Sequence, residues 1–273
     1  MSKEIKDNEV IIDDFNSLLK VLNNFIYPSN YESEDILDYE HIGSVNSPMI
    51  FRGHREESYK LESTLERHIR KVFPKLELNK DIFKIICDDY LYHCKKELKG
   101  RIKESYILAN ENDVWAYGQH YGLKTPLLDW TRSFLIALYF AFENPISKSK
   151  YRVVYQLNAF LSIPGVIVEP EFSIGARIIS QRGVFTKKLS DELESINDYF
   201  ANSDAAEVIK NHRPLIKYKI KSSLRRDIMN FLFSLNIDCY AIYPDLQGAI
   251  KNCHIQLDNI CNLGKEIGFV HDY

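Results

Sequence analysis

GQHYGLKTPLLDWTRSFLIALYFAFEN, Gly118 to Asn144, joins two unlike halves. From Phe134 to Phe142 every residue is apolar or aromatic, so a helix wound there has no polar face. Such a helix is buried all round, and the rest of the chain must wrap it. The first half crowds Gln119, His120, Tyr121, Thr125, Asp129, Trp130 and Thr131 in front of it. Thr131 is the expected N-cap, Asp129 its neighbour, and the helix is expected to begin near Arg132. The free N–H groups and positive partial charge at a helix mouth suit a phosphate or carboxylate. Aromatic walls with a few placed polar groups suit a small-molecule pocket. The plainer alternative is that Asp129 and Thr131 only cap the helix.

Upstream, Phe15, Leu18, Leu19, Leu22 and Ile26 keep helical spacing behind an acidic lead, with Asp13 or Asp14 as cap. MIFRG, Met49 to Gly53, reads as a strand running into a glycine turn. Residues 79–110 read as one or two long helices with Ile82, Ile85, Ile86, Tyr90 and His93 on one side. Downstream, YRVVYQL and GVIVE carry the β-branched and aromatic residues of strands, and ARIISQRGVFT reads as a strand with a glycine-bearing turn. Residues 191–211 read as helical and exposed. LIKYKIK alternates like a half-buried strand. SSLRRDIMNFLFSLN reads as an amphipathic helix capped by Ser222 or Ser223, and CYAIYPDLQGAI as a strand, a Pro-Asp turn and the start of a last helix. Helices dominate the first half, and strands mix with helices in the second, an α+β pattern rather than a βαβ alternation. No internal repeat or linker interrupts it, so residues 1–273 read as a single domain, with a core at about 45–250 and a helical lead over 1–44.

The chain has 273 residues, is 45% apolar and 27% charged, and has a formal net charge of −3. That balance argues against nucleic-acid binding by bulk charge. The five cysteines form no C-x-x-C pair and are odd in number, which fits a reducing, cytoplasmic compartment. Cys87 and Cys94, seven apart on a helix, are expected to face the core. No His or Cys spacing supports a metal site. The N-terminus lacks a signal-peptide core, and the longest apolar run is too short to span a bilayer.

Three segments, FRG at Phe51–Gly53, GQHYGLKTPLLDWT at Gly118–Thr131 and ARIISQRGVFT at Ala176–Thr186, together resemble the FRG domain family, and YPDLQG at Tyr243–Gly248 fits with them. YKLESTLERHIRK, Tyr59 to Lys71, is similar to the stretch that follows the FRG triplet in that family. The usual central motif is close to Q-H-x-G-x-P-T-R-L-L-D-W-T; here Lys124 stands where Pro is usual and Pro126 where Arg is usual.

The resemblance implies a bacterial or phage protein associated with toxins and phage defence. Its layout is similar to that of the ADP-ribosyltransferase superfamily, with a small mixed or antiparallel sheet. That superfamily sets an Arg or His on its first core strand, a Ser, Thr or Tyr before a following helix, and a Glu or Gln on a later strand. Arg52, Thr131 (with Ser133 nearby) and Gln181 stand in that order. The implied activity is transfer of ADP-ribose from NAD, as substrate, to a protein or nucleic-acid acceptor, with an antitoxin as neutralising partner. Arg52, Asp129, Thr131 and Gln181 are then the expected catalytic residues. Gly53, His54, Gln119, His120, Tyr121, Trp130 and Phe185 are the expected NAD-binding residues.

Cleaving the nicotinamide–ribose bond passes through an oxocarbenium-like state, as glycoside hydrolysis does. Arg52 suits bidentate contact with phosphate or ribose oxygens, or else pairs with Asp129 as a structural device. Gly53 would let backbone approach the ligand. Gln181 can bond a ribose hydroxyl but brings no charge, which must come from Asp129 or Asp245; Asp129, in the denser motif, is preferred. The competing reading is a non-catalytic nucleotide- or nucleic-acid-sensing module of a defence system.

Overall fold

The computed structural model describes residues 8–26, 49–158, 167–171, 179–201 and 214–266. Their strands are β1 (Glu9–Ile12), β2 (Met49–His54), β3 (Leu128–Thr131), β4 (Tyr151–Asn158), β5 (Ile167–Val168), β6 (Gly183–Thr186) and β7 (Leu215–Lys221). They form one sheet in the order β1-β7-β4-β2-β3-β6-β5. β1 pairs with β7 in parallel, and every other pairing is antiparallel. The sheet is therefore mixed, and the fold is α+β as expected.

Side-chain alternation along the strands builds a core on each face. Phe51, Val154, Tyr218 and Ile220 point to one side, where they meet α1 (Phe15–Ile26), α5 (Phe134–Phe142) and the helix Arg225–Ser234. Ile50, Trp130, Val153, Tyr155 and Leu157 point to the other, where they meet Leu61, Leu193 and Ile196. Two further clusters pack α2 (Thr64–Val72), α3 (Lys80–Leu98) and α4 (Glu111–His120) around Trp115 and Phe83.

Seven of the nine residues of α5 are buried, with Ala137, Leu138, Ala141 and Phe142 sealed from solvent and Leu135 and Phe140 partly exposed. Its ends are satisfied from outside, as a buried helix requires. The Ser133 hydroxyl accepts from Ile136 N at 3.3 Å. At the other end Arg152 donates to the carbonyls of Ala141 (2.8 Å), Asn144 (2.7 Å) and Pro145 (3.3 Å). Arg225 donates to those of Phe142 (2.9 Å) and Glu143 (3.0 Å). Burial pulls the Arg152 guanidinium down to about 10, helped by the charge of Arg225, which still leaves it protonated at neutral pH.

Several expectations need correcting. LDWT, expected to hold the cap of the buried helix and its neighbour, is a strand, β3. Ser133, not Thr131, caps α5. EVII, taken into the acidic lead, is β1; it is recruited by a β7 partner more than 200 residues away along the chain. CYAI is a four-residue helix capped by Asp238, not a strand. No serine caps Arg225–Ser234, which grows out of a 3-10 turn over Ser222–Leu224. On α3 the buried side is Phe83, Cys87, Leu91 and Cys94, with Ile85 exposed. In the stretch read as exposed helix, Leu193 and Ile196 are buried, and residues 202–211 lie outside the described residues. So do 176–178, the start of ARIISQRGVFT. MIFRG is a strand as expected, but Gly53 lies within it, paired with Val154, where a glycine turn was expected. YRVVYQL, LIKYKIK, Asp14 as cap of α1 and the buried Cys87 and Cys94 are as expected.

Candidate active site

β2 bonds β4 along all six of its residues, and β3 bonds β6 along all four. Between β2 and β3 the ladder holds a single pair, Phe51 with Thr131. Past that pair the sheet forks. Arg52 and Gly53 lie on one prong and Asp129 and Trp130 on the other, and a cavity of about 390 Å³ opens between them. That is within the usual range for small-molecule sites, roughly 300–1,000 Å³. Ala116, Gln119 and His120 of α4 close one side; Phe140, Glu143 and Tyr243 close another; Gln181 and Phe185 complete it.

The FRG triplet has a physical logic in this fork. Phe51 faces α5 and meets the Phe134 ring edge-on at 5.6 Å. Gly53, two residues on, faces the same helix. A Cβ there would stand 2.0 Å from Ala137 O and 2.7 Å from Ala141 N. The glycine thus serves the close approach of α5 to β2, where approach to a ligand was expected. Arg52 points the other way. Its Nε donates to His54 Nε2 at 2.9 Å, and an Nη donates to the Asp129 carbonyl at 2.5 Å. Its ion pair with the Asp129 carboxylate is looser, at 3.8 Å. Burial lowers the Arg52 pKa and Asp129 opposes the shift; a guanidinium stays charged regardless.

Asp129 is held from α4. Gln119 donates an amide N–H to Asp129 Oδ1 at 2.6 Å, and its own oxygen accepts from the Thr125 hydroxyl. Gln119 of the central motif therefore aims the Asp129 carboxylate. Thr131 is fully buried; its hydroxyl accepts from Ser133 N at 3.1 Å and donates to Gln181 O at 2.6 Å, tying β3 to the turn before β6. Gln181 lies in that turn, not on a strand, beside Arg182 in the left-handed region (φ 48°). Its side chain donates to Ile242 O at 3.1 Å.

Arg52, Asp129, Thr131 and Gln181 thus line one cavity, as do Gly53, Gln119, His120, Trp130 and Phe185. The site's position differs from the expected one. It sits beside Phe140 and Glu143, at the C-terminal half of α5, and not at that helix's mouth. Trp130 borders it, but its ring belongs to the opposite core and its indole N–H goes to Thr186 at 2.9 Å. Tyr121 stands outside the cavity, exposed and stacked near Tyr117 and His120. His54 is buried behind Arg52 and does not line the cavity. Burial, then the Arg52 charge, hold its imidazole well below the ordinary histidine range, so it is neutral and accepts from Arg52.

Sequence reasoning missed Glu143 and Tyr243. Glu143 follows the last residue of α5, and its carboxylate accepts from Tyr243 Oη and Lys251 Nζ, each at 2.7 Å. It is 13% exposed, against 64% for Asp129. A lone Glu ending an otherwise apolar helix was the available signal. Asp245, the alternative source of charge, does not line the cavity; it caps the last helix, Leu246–Glu266, accepting from Gly248 N at 2.8 Å. No group of acidic, His and Cys side chains among the described residues is placed to hold a metal ion. No helix among them is long and apolar enough to cross a membrane.

Residues 47–150 match the family model of the FRG domain. No curated protein and no solved structure matches the chain.

Proposed function

From the match of residues 47–150 to the FRG domain, we propose that the chain takes ADP-ribose from NAD and places it on a macromolecule, as a cytoplasmic toxin or phage-defence effector of a bacterial cell. One observation carries the reading: residues from the three motif segments, Arg52, Asp129, Thr131 and Gln181, border a single cavity in the forked sheet. Arg52 supplies a planar cation for a diphosphate or ribose oxygen. Gln181 and Gln119 offer amides to ribose hydroxyls. Asp129 and Glu143 are the two carboxylates lining the cavity, able to oppose the positive charge that develops as the glycosidic bond breaks. The chain order Arg52, Thr131, Gln181 is similar to the ADP-ribosyltransferase order and supports the reading by analogy, with Gln181 in a turn where that layout sets a strand. The acceptor is a protein or nucleic acid, and an antitoxin is the expected partner in the producing cell.

A second reading is favoured by a specific feature. The polar groups of the cavity already have protein partners: Arg52 and Gln119 both bond Asp129 within it, while Arg52 also bonds His54 and Gln181 bonds the Ile242 carbonyl behind its walls. Such a lattice suits a site that senses a nucleotide without chemistry. Incubation with NAD labelled in its adenylate moiety, together with cell extract, separates the two. Label carried into protein or nucleic acid supports transfer, and binding without transferred label supports sensing. With transfer in hand, Asp129→Asn is expected to lower turnover about a hundred- to thousandfold, the usual effect of losing one electrostatic stabiliser. Unchanged turnover would shift that role to Glu143.

A further inference from the structure

The last helix, Leu246–Glu266, turns its apolar side outward. Leu246, Ile250, Leu257 and Ile260 are 77%, 49%, 57% and 66% exposed, and Cys253 is exposed between them. The half-buried positions are instead Lys251, Asn252, Ile255, Asp258 and Asn259, mostly polar. Helices at a protein–water boundary show the reverse order, polar outside and apolar inside. The spacing of the exposed set is 4-3-4-3, the repeat that keeps one seam facing a partner helix. Lys251, on the inner side, is already engaged with Glu143.

From this we infer that a second copy of the chain covers this seam, pairing Leu246–Glu266 with itself about a two-fold axis. The 4-3 repeat calls for a helix of the same repeat, which this chain itself supplies, and charge permits the self-pairing. The exposed positions beside the seam, Ala249, His254, Gln256 and Cys261, bring no fixed charge, so two copies meet without like-charge repulsion. A membrane surface would call for a basic polar face around the apolar stripe, and Lys251, the one Lys or Arg from 246 to 261, is bonded inward. Cys253 is the middle one of the five seam positions, so it meets the partner's equivalent whether the two helices run parallel or antiparallel.

The chain mass is 31.9 kDa. Sedimentation equilibrium of the full chain is expected to give twice that mass, rising towards it with concentration. Ile250→Glu with Leu257→Glu should return the mass to that of one chain while the far-ultraviolet spectrum stays unchanged, both positions being exposed. Mild oxidation of the wild type should give a disulfide-linked pair that Cys253→Ser abolishes. A wild type that remains a single chain at every concentration would overturn the inference. So would a double variant that still dimerises, or a cross-link that survives Cys253→Ser.

Discussion

Gly53 shows what one missing side chain does. The nearest obstacles to a Cβ at that position are backbone atoms of α5, which cannot swing aside as a side chain would. Gly53→Ala must push α5 off β2 and is expected to cost about 3 kcal/mol, the upper part of the usual overpacking range. A thermal melt checks this, and a variant melting with the wild type would remove the packing role. His54 makes a prediction about pH. Its folded pKa lies below the unfolded value of about 6.5, because burial and Arg52 oppose the imidazolium. As pH falls through that value the unfolded chain takes a proton that the folded chain refuses, so stability is lost on acidification, by at most about 1.4 kcal/mol per pH unit. His54→Gln keeps an acceptor for Arg52 and removes the titration. Denaturant unfolding of the two proteins between pH 7.5 and pH 5 should therefore converge, the wild type losing more; parallel curves would show that His54 protonates freely in the fold.

At the scale of elements, α5 is the piece everything else accommodates. Its apolar faces supply burial, but its last carbonyls end away from water and need donors. Arg152 and Arg225 provide five hydrogen bonds to them and to the residues that follow. Arg152→Met keeps much of the volume and leaves three carbonyls without that donor. The expected loss is roughly 2–5 kcal/mol, since stranded buried polar groups cost about 1–3 kcal/mol each and relax in part. Chemical denaturation checks it, and a loss under about 1 kcal/mol would mean that water reaches those carbonyls. The apolar run that makes α5 was plain in the sequence, because a helix with no polar face has one environment. MIFRG and LIKYKIK were plain through β-branching and alternation. LDWT was not: four residues with a capping Thr and Asp look like a helix approach, and only pairing with β6 makes them a strand. β1 hid for a similar reason, since its partner lies at the far end of the chain. The cavity residues were legible as a crowded motif, but their location was not. The motif adjoins the mouth of α5 in sequence, whereas the sheet fork carries Arg52 and Asp129 alongside its other half, next to Glu143.

At the scale of the whole molecule, the cavity is a meeting point of segments far apart in the chain. Its walls come from β2, α4, β3, α5, the turn at Gln181 and Tyr243. No one of these walls exists unless the sheet and the helices around it are assembled, so the unfolded chain has no site. A ligand that binds there binds only the folded state and must stabilise the whole fold by mass action, by about 2.7 kcal/mol at a hundred times its dissociation constant. NAD is therefore expected to raise the melting temperature in a concentration-dependent way. Arg52→Ala should abolish that rise, because it removes the cation that faces the cavity. It should also lower the melting temperature of the free protein, because it leaves the Asp129 carbonyl and His54 Nε2 without their donor. The two effects are separable: the first is a change in slope with NAD concentration, the second an offset without NAD. An Arg52→Ala protein that keeps the slope and shows only the offset would make Arg52 a strut between the prongs of the fork. A wild type with no slope at all would remove NAD as the ligand while leaving the cavity and its lattice of hydrogen bonds as they stand.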